Sequence, residues 1–306
     1  MSARAVLNAR TPPRQPAVER CLRVMIFWDY DTQWGADRSR SAGGRKQWGA
    51  LEFTQTERLL ELHARFDWKA CFAVVAAAAL PGQRPYHDPA QIRAIHAAGH
   101  EIASHSMYHD WLPAMGRKRL REDLRRSRET LEQCIGAPVK TFVPPFNQPF
   151  DFPDGWAISV SERRQVRTER TGLKNLCEAL GETGYQYCRV AFRPIHWQAM
   201  EWLLRRRVER ILPPVTIAGI RCLRLTNDGG FAESASRQLI RSAGNPGLMI
   251  AYGHPHSTAS GNTQDASLLT RFLVTATTLR SDAQVTPVLP KELQGSHPDA
   301  DVCDFV

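Results

Sequence analysis

Four short clusters hold the side chains with the most chemistry, and each follows an apolar run. Trp28-Asp29-Tyr30-Asp31-Thr32 places two carboxylates two positions apart after residues 24–27. In an extended chain such residues project to the same side. Close together they repel, so one of them wants a proton or a cation. His105-Ser106-Met107-Tyr108-His109 sets two imidazoles four apart, where both can meet on one face of a turn and grip a metal. In Phe142-Val143-Pro144-Pro145-Phe146-Asn147 the prolines remove two N–H donors and leave that of Phe146 with a fixed aim. Tyr252-Gly253-His254-Pro255-His256 adds a histidine suited to proton transfer. Taken singly, each has a plain structural explanation, such as an aspartate capping a turn. What joins them is a common position just past a strand-like run. One carboxylate and two imidazoles on a divalent ion leave positions open for water and substrate, the pattern of a catalytic centre.

The elements that must carry these clusters are legible as well. Residues 24–27 are a short continuous apolar run of the kind found in a strand buried on both faces, and 70–75, 100–104, 141–143, 185–190 and 248–252 read as further strands. Helical patterns lie between them. Thr54 and Glu57 form a capping box ahead of Leu59, Leu60 and Leu62. Asp88 and Pro89 open a second helix, which Gly99 ends. Leu120, Leu124 and Leu131 mark a third, closed by Gly136. Repeated β-then-α units predict an α/β fold with a parallel sheet, either a barrel or a doubly wound layer. In both, the site lies at the carboxyl ends of the strands.

Composition sets the outer limits. A chain of 306 residues with 42% hydrophobic and 23% charged residues is ordinary globular material, with no apolar run long enough for a membrane helix. The net charge of +9 is carried almost entirely by arginine. Such an excess suits an anionic partner, such as phosphate or a membrane surface, or simply a solvated face. No nucleic-acid-binding module accompanies it. Seven cysteines with no C-x-x-C pair indicate neither a zinc knuckle nor a disulfide framework. Residues 1–20 are polar and rich in Arg and Pro, without the pattern of a secretory leader, so a reduced cytoplasmic protein is expected. The expected organisation is an N-terminal tail over 1–20, one domain over 21–291 and a C-terminal tail over 292–306.

In their order, the four clusters resemble the polysaccharide deacetylase family with the NodB homology domain, carbohydrate esterase family 4. The segment Gly99-His100-Glu101-Ile102-Ala103-Ser104-His105-Ser106-Met107-Tyr108-His109 carries most of the resemblance, because it matches the family's strand and H-[ST]-x-x-H motif together. The resemblance spans roughly residues 22–290 and implies a single-domain, distorted parallel (β/α) barrel. It implies Asp31, His105 and His109 as ligands of one divalent ion, zinc first, with cobalt, manganese, nickel or iron as substitutes. It implies Asp29 as general base and His254 as general acid, with Phe146, Asn147, Tyr252 and Arg193 around the substrate. Tyr252 is bulkier than the family's usual leucine, which suggests a small acyl group. Two positions depart from the family pattern. The arginine that steadies the catalytic aspartate is Val143 here, leaving Arg189 or Arg193 to replace it. The aspartate that tunes the late histidine has only Asp228 as a counterpart.

A shorter likeness, through Asp-x-Asp-Thr and Tyr187-Cys188-Arg189, points to the branch that deformylates a lipid-linked aminoarabinose. The expected reaction is hydrolysis of an N-acetyl or N-formyl amide on an amino sugar that is nucleotide-linked, lipid-linked or small. A ring-opening hydrolase of the allantoinase or cyclic-imide type is the alternative on the same fold. A non-catalytic sugar-binding barrel is the alternative of another class. The oligomeric state is not fixed by the sequence.

Overall fold

The computed structural model describes residues 21–39, 47–149, 171–191, 199–200, 203–204, 211–226 and 229–293. The expected tail over 1–20 and the candidates Arg193 and Asp228 lie outside them.

The apolar run at 24–27 is the middle of a longer strand, β1 (Leu22–Tyr30). The other strands are β2 (Cys71–Val74), β3 (Glu101–Ser104), β4 (Thr141–Phe142), β5 (Tyr187–Val190), β6 (Val215–Ile217), β7 (Ile220–Arg224), β8 (Gly247–Gly253) and β9 (Val285–Pro287). They form one sheet in the order β6-β7-β5-β4-β3-β2-β1-β8, with β9 beside the start of β1. Neighbours are parallel except in the hairpin β6–β7.

The sheet curls back on itself just beyond β7. The N–H of Thr226 donates to Ile250 O at 3.2 Å, and the N–H of Ile250 donates to Thr226 Oγ1 at 2.7 Å. Alternation then sorts the side chains into two sets. Met25, Phe27, Cys71, Ala73, Ala103, Val143, Leu223, Ile250 and Tyr252 form one buried cluster inside the curl. Val24, Ile26, Trp28, Phe72, Ile102 and Phe142 face the other way and belong to the larger cluster that includes the helices. This is the distorted parallel (β/α) barrel expected from the sequence.

Seven helices are described: α1 (Thr32–Arg38), α2 (Gly49–Arg65), α3 (Pro89–Ala97), α4 (Arg117–Ile135), α5 (Leu173–Glu182), α6 (Glu233–Ser242) and α7 (Ala266–Ser281). Helix α2 starts earlier than its expected capping box. Its N-cap is Trp48, with no side-chain cap, so Thr54 and Glu57 lie inside the helix. The apolar stripe explains the difference, because Phe53 is fully buried and a helix that buries it must begin before it. Helix α3 opens as expected, with the Asp88 carboxylate accepting the Gln91 N–H at 2.8 Å. Gly136 closes α4 at φ 67°, a left-handed position that glycine takes without strain.

The end of the barrel opposite the four clusters is plugged by a helical turn, Pro290–Leu293. Glu101, at the start of β3, accepts the Thr141 hydroxyl at 2.5 Å and the Lys291 N–H at 3.0 Å. Leu293 is buried in the interior cluster, so position 291 falls within this turn. No helix among the described residues is long and apolar enough to cross a membrane.

Candidate active site

The first two motifs converge at the carboxyl ends of β1 and β3. Asp29 is still in β1 and points into the curl, whereas Asp31 is the N-cap of α1. A Cβ on Gly35 would come within 2.5 Å of Asp31 Cβ, so only glycine lets α1 pack this closely on that aspartate. His105 follows β3 directly. The loop after it turns tightly, with Ser106 at φ 66° and His109 at φ 60°. The Ser106 hydroxyl accepts the His109 N–H at 3.0 Å, and Asp123 of α4 accepts the Met107 N–H at 3.1 Å. That fold of the loop brings the two imidazoles to a centroid distance of 5.0 Å.

Asp31, His105 and His109 each offer a ligand atom, and these atoms lie within 4.8 Å of one another. Asp31 Oδ1 stands 3.4 Å from Nε2 of both histidines. His105 Nδ1 is 2.7 Å from Val143 O, a bond that puts the proton on Nδ1 and leaves the Nε2 lone pair toward Asp31. Asp31 Oδ1 and His109 Nδ1 are buried, with no hydrogen-bond partner among the described residues. Burial, with Glu52 and Asp29 beside it, pushes the Asp31 carboxyl well above the usual carboxylate range. Burial pushes His105 down to about 4 and His109 well below its ordinary value. An orphaned carboxylate oxygen beside two neutral imidazoles is the donor set a divalent cation satisfies. These residues therefore fit a metal.

Asp29 has a different environment. Arg189 of β5 grips it with two bonds, Nη1 to Oδ1 at 2.6 Å and Nη2 to Oδ2 at 2.7 Å. Burial alone would raise the Asp29 carboxyl, but Arg189, assisted by His105 and His254, holds it down at about 2. Arg189, fully buried, thus stands where Val143 leaves the family pattern without an arginine. It also donates to Asn147 Oδ1 at 2.8 Å, Asn147 Nδ2 donates to the Tyr252 hydroxyl at 3.0 Å, and the guanidinium lies 4.4 Å from the Tyr252 ring centroid. Asn147 and Tyr252 are therefore locked to the partner of Asp29.

His254 Nε2 is 3.9 Å from both Asp29 Oδ2 and Asp31 Oδ2. Gln264 Oε1 accepts the His254 N–H at 2.7 Å and lies 3.1 Å from its Nδ1, so the described partner of this imidazole is a neutral amide. Burial holds the His254 pKa below its ordinary value. Phe146 adopts φ 59°, and its ring meets His109 at 4.6 Å. Its N–H donates to no group among the described residues. A cavity of about 240 Å³ opens beside His109, lined also by Asp37, Arg38, Ser39, Asp110, Trp111 and Phe146. Gln264 and Glu52 were not visible as site residues in the sequence, since neither sits in a motif.

Residues 50–151 match the family model for polysaccharide deacetylase. That match covers about a third of the chain. The match indicates a hydrolase acting on amide bonds. The matched segment holds His105, His109, Phe146 and Asn147; Asp29, Asp31, Arg189, Tyr252 and His254 lie outside it. Solved structures share the fold at low identity. A protein assigned to the polysaccharide deacetylases of Mycobacterium smegmatis is 19% identical, with a TM-score of 0.52 over 93% of this chain and 98% of that one. PuuE allantoinase is 18% identical, with a TM-score of 0.56 over 92% of each chain. No protein of curated function matches the chain by sequence.

Proposed function

We propose that the chain is a metal-dependent N-deacylase that removes an acetyl or formyl group from an amino sugar. The observation that carries this reading is the orphaned Asp31 Oδ1 between two imidazoles, two residues after an aspartate held ionised by Arg189. Asp31, His105 and His109 would hold one divalent ion, zinc first. Such an ion supplies Lewis-acid polarisation of the amide carbonyl and makes water more acidic. Asp29, aimed by its two bonds to Arg189, accepts the proton of the attacking water. The Phe146 N–H, without another partner among the described residues, donates to the oxygen that gains charge. His254 passes a proton to the departing nitrogen, which cannot leave as an amide anion. The bulk of the Tyr252 ring, pinned by Asn147 and Arg189, supports a small acyl group.

The net charge of +9 supports a substrate with a phosphate or pyrophosphate handle, nucleotide-linked or lipid-linked, met in the cytoplasm or at its membrane face. The test is metal analysis of the purified protein, followed by acetate and formate release from a panel of N-acylated amino sugars. Release from at least one member is expected, with a bound divalent ion close to one per chain. A protein that takes up no metal and releases neither acid overturns the reading. The fold shared with PuuE allantoinase supports a second reading, ring opening of a cyclic amide, and allantoin and a hydantoin belong in the same panel.

A further inference from the structure

The end of β1 is held by a carboxylate that the motifs and the mechanism leave unused. Glu52, in the first turn of α2, is completely buried. Its Oε1 accepts the backbone N–H of Asp31 at 3.3 Å, and its Oε2 lies 2.6 Å from Nδ1 of His256. His256 stacks on Trp48, the N-cap of α2, with centroids 4.4 Å apart and planes 10° apart. Its ring is 5.3 Å from that of His254. One buried side chain therefore ties the residue offering the metal-ligand carboxylate to the loop that carries the late histidine. A buried carboxylate is tolerated only where its oxygens are answered, and here both answers lead into the site. The aim of Asp31 depends on such outside support. Its Oδ1 has no hydrogen-bond partner among the described residues, so its direction is set through its backbone.

We propose that Glu52 is a positioning residue for the metal centre. Paired with His256, it fixes the backbone of Asp31 and the loop of His254 in the arrangement a divalent ion needs. The inference rests on the reading of Asp31, His105 and His109 as metal ligands. It predicts that metal affinity, rather than folding alone, depends on Glu52.

The experiment titrates zinc into the chelator-stripped full-length chain by calorimetry and records thermal melting beside it. Glu52→Leu, which removes both contacts, is expected to weaken zinc binding about 10-fold or more, the scale for partners of metal ligands. Glu52→Gln can still accept from Asp31 N–H and donate to His256, and is expected to stay within about 3-fold of the wild type. Gln55→Leu supplies the structural control. It cuts the 3.1 Å bond from Thr258 at the same helix–loop contact without touching Asp31, and should leave zinc affinity unchanged. His256→Phe keeps the stack on Trp48, removes only the Nδ1 contact, and should weaken zinc several-fold even if Glu52→Leu does not fold. Wild-type affinity in Glu52→Leu or His256→Phe overturns the proposal, as does an equal loss in Gln55→Leu. A wild-type chain that binds no zinc, cobalt or manganese overturns the metal reading beneath it instead, so the two failures are distinct.

Discussion

Arg189 is the residue on which the chemistry of the site turns. A guanidinium inside a barrel is tolerated because a carboxylate answers it with a bidentate pair, and because Phe27 and Tyr252 lie against its faces. Removing it with Arg189→Met leaves Asp29 buried and alone. The Asp29 pKa then rises, and the acid limb of the kcat/KM profile should move to higher pH while maximal turnover falls; an unmoved limb would place the base elsewhere. Asp29→Asn should keep its metal and lose about 10²-fold or more in turnover, as expected for a positioned general base. If turnover survives and only stability drops, Asp29 serves to anchor Arg189 and not as the base. His254→Ala should lose far more activity on an N-acyl amide than on an activated aryl ester cleaved at the same site, because only the amide needs its leaving group protonated. Equal losses on both substrates would give His254 a binding role. The sequence displayed Asp29, Asp31, His105, His109 and His254 because motif order singled them out. It left two arginines in competition for the place vacant at Val143. Arg189 shares the strand parity of inward-facing Tyr187, but only the pairing with Asp29 decides it. Glu52 stayed invisible, since a glutamate in the first turn of a helix usually sits there for the helix dipole.

The loop between β3 and α4 shows how an element brings His105 and His109 together. Its middle N–H is taken by Asp123, whose carboxyl burial pushes up to about 7, with the Met107 N–H opposing. An acid with a raised pKa in the fold contributes stability below its unfolded value near 4, and loses it as pH rises toward about 7. Asp123→Asn keeps an acceptor for Met107 without the charge. It should therefore melt several degrees above the wild type at pH 8 and lose that advantage at pH 4. Asp29 has the opposite sign: its lowered pKa gives stability present above about 4 and lost as pH falls toward about 2. A melting temperature of Asp123→Asn that tracks the wild type across this range would remove Asp123 from the account. At this scale the strands were legible as apolar runs because parallel barrel strands are buried on both faces. The hairpin β6–β7 and the three-residue β9 were not, being short, half-exposed and in one case ended by proline. The start of α2 was misplaced because a local capping pattern lost to the burial of Phe53.

The whole molecule is a curled sheet whose inner and outer faces are assigned by simple alternation, which is why the fold class could be read from spacing. Its closure could not be, because among the described residues it is made by bonds from Thr226 and Gly230, which lie beyond a strand end. Thr226→Val removes the acceptor for the Ile250 N–H and should cost about 1 kcal/mol in chemical denaturation, with no loss if closure is held elsewhere. The pairing of β1 has a consequence for how the protein comes into being. Among the described strands the one that bears Asp29 and borders Asp31 comes first in the sequence, yet it takes partners from Gly247–Gly253 and Val285–Pro287, more than 200 residues later. While the ribosome is still translating the middle of the message, that strand has β2 alone to lean on, and its other edge is bare. The two ends of the polypeptide must find each other before either carboxylate has its final surroundings. A nascent chain halted before residue 247 therefore holds Asp31, His105 and His109 but lacks His254, His256 and the strand that flanks β1, so on the proposed function activity arrives with the last strands rather than growing with length.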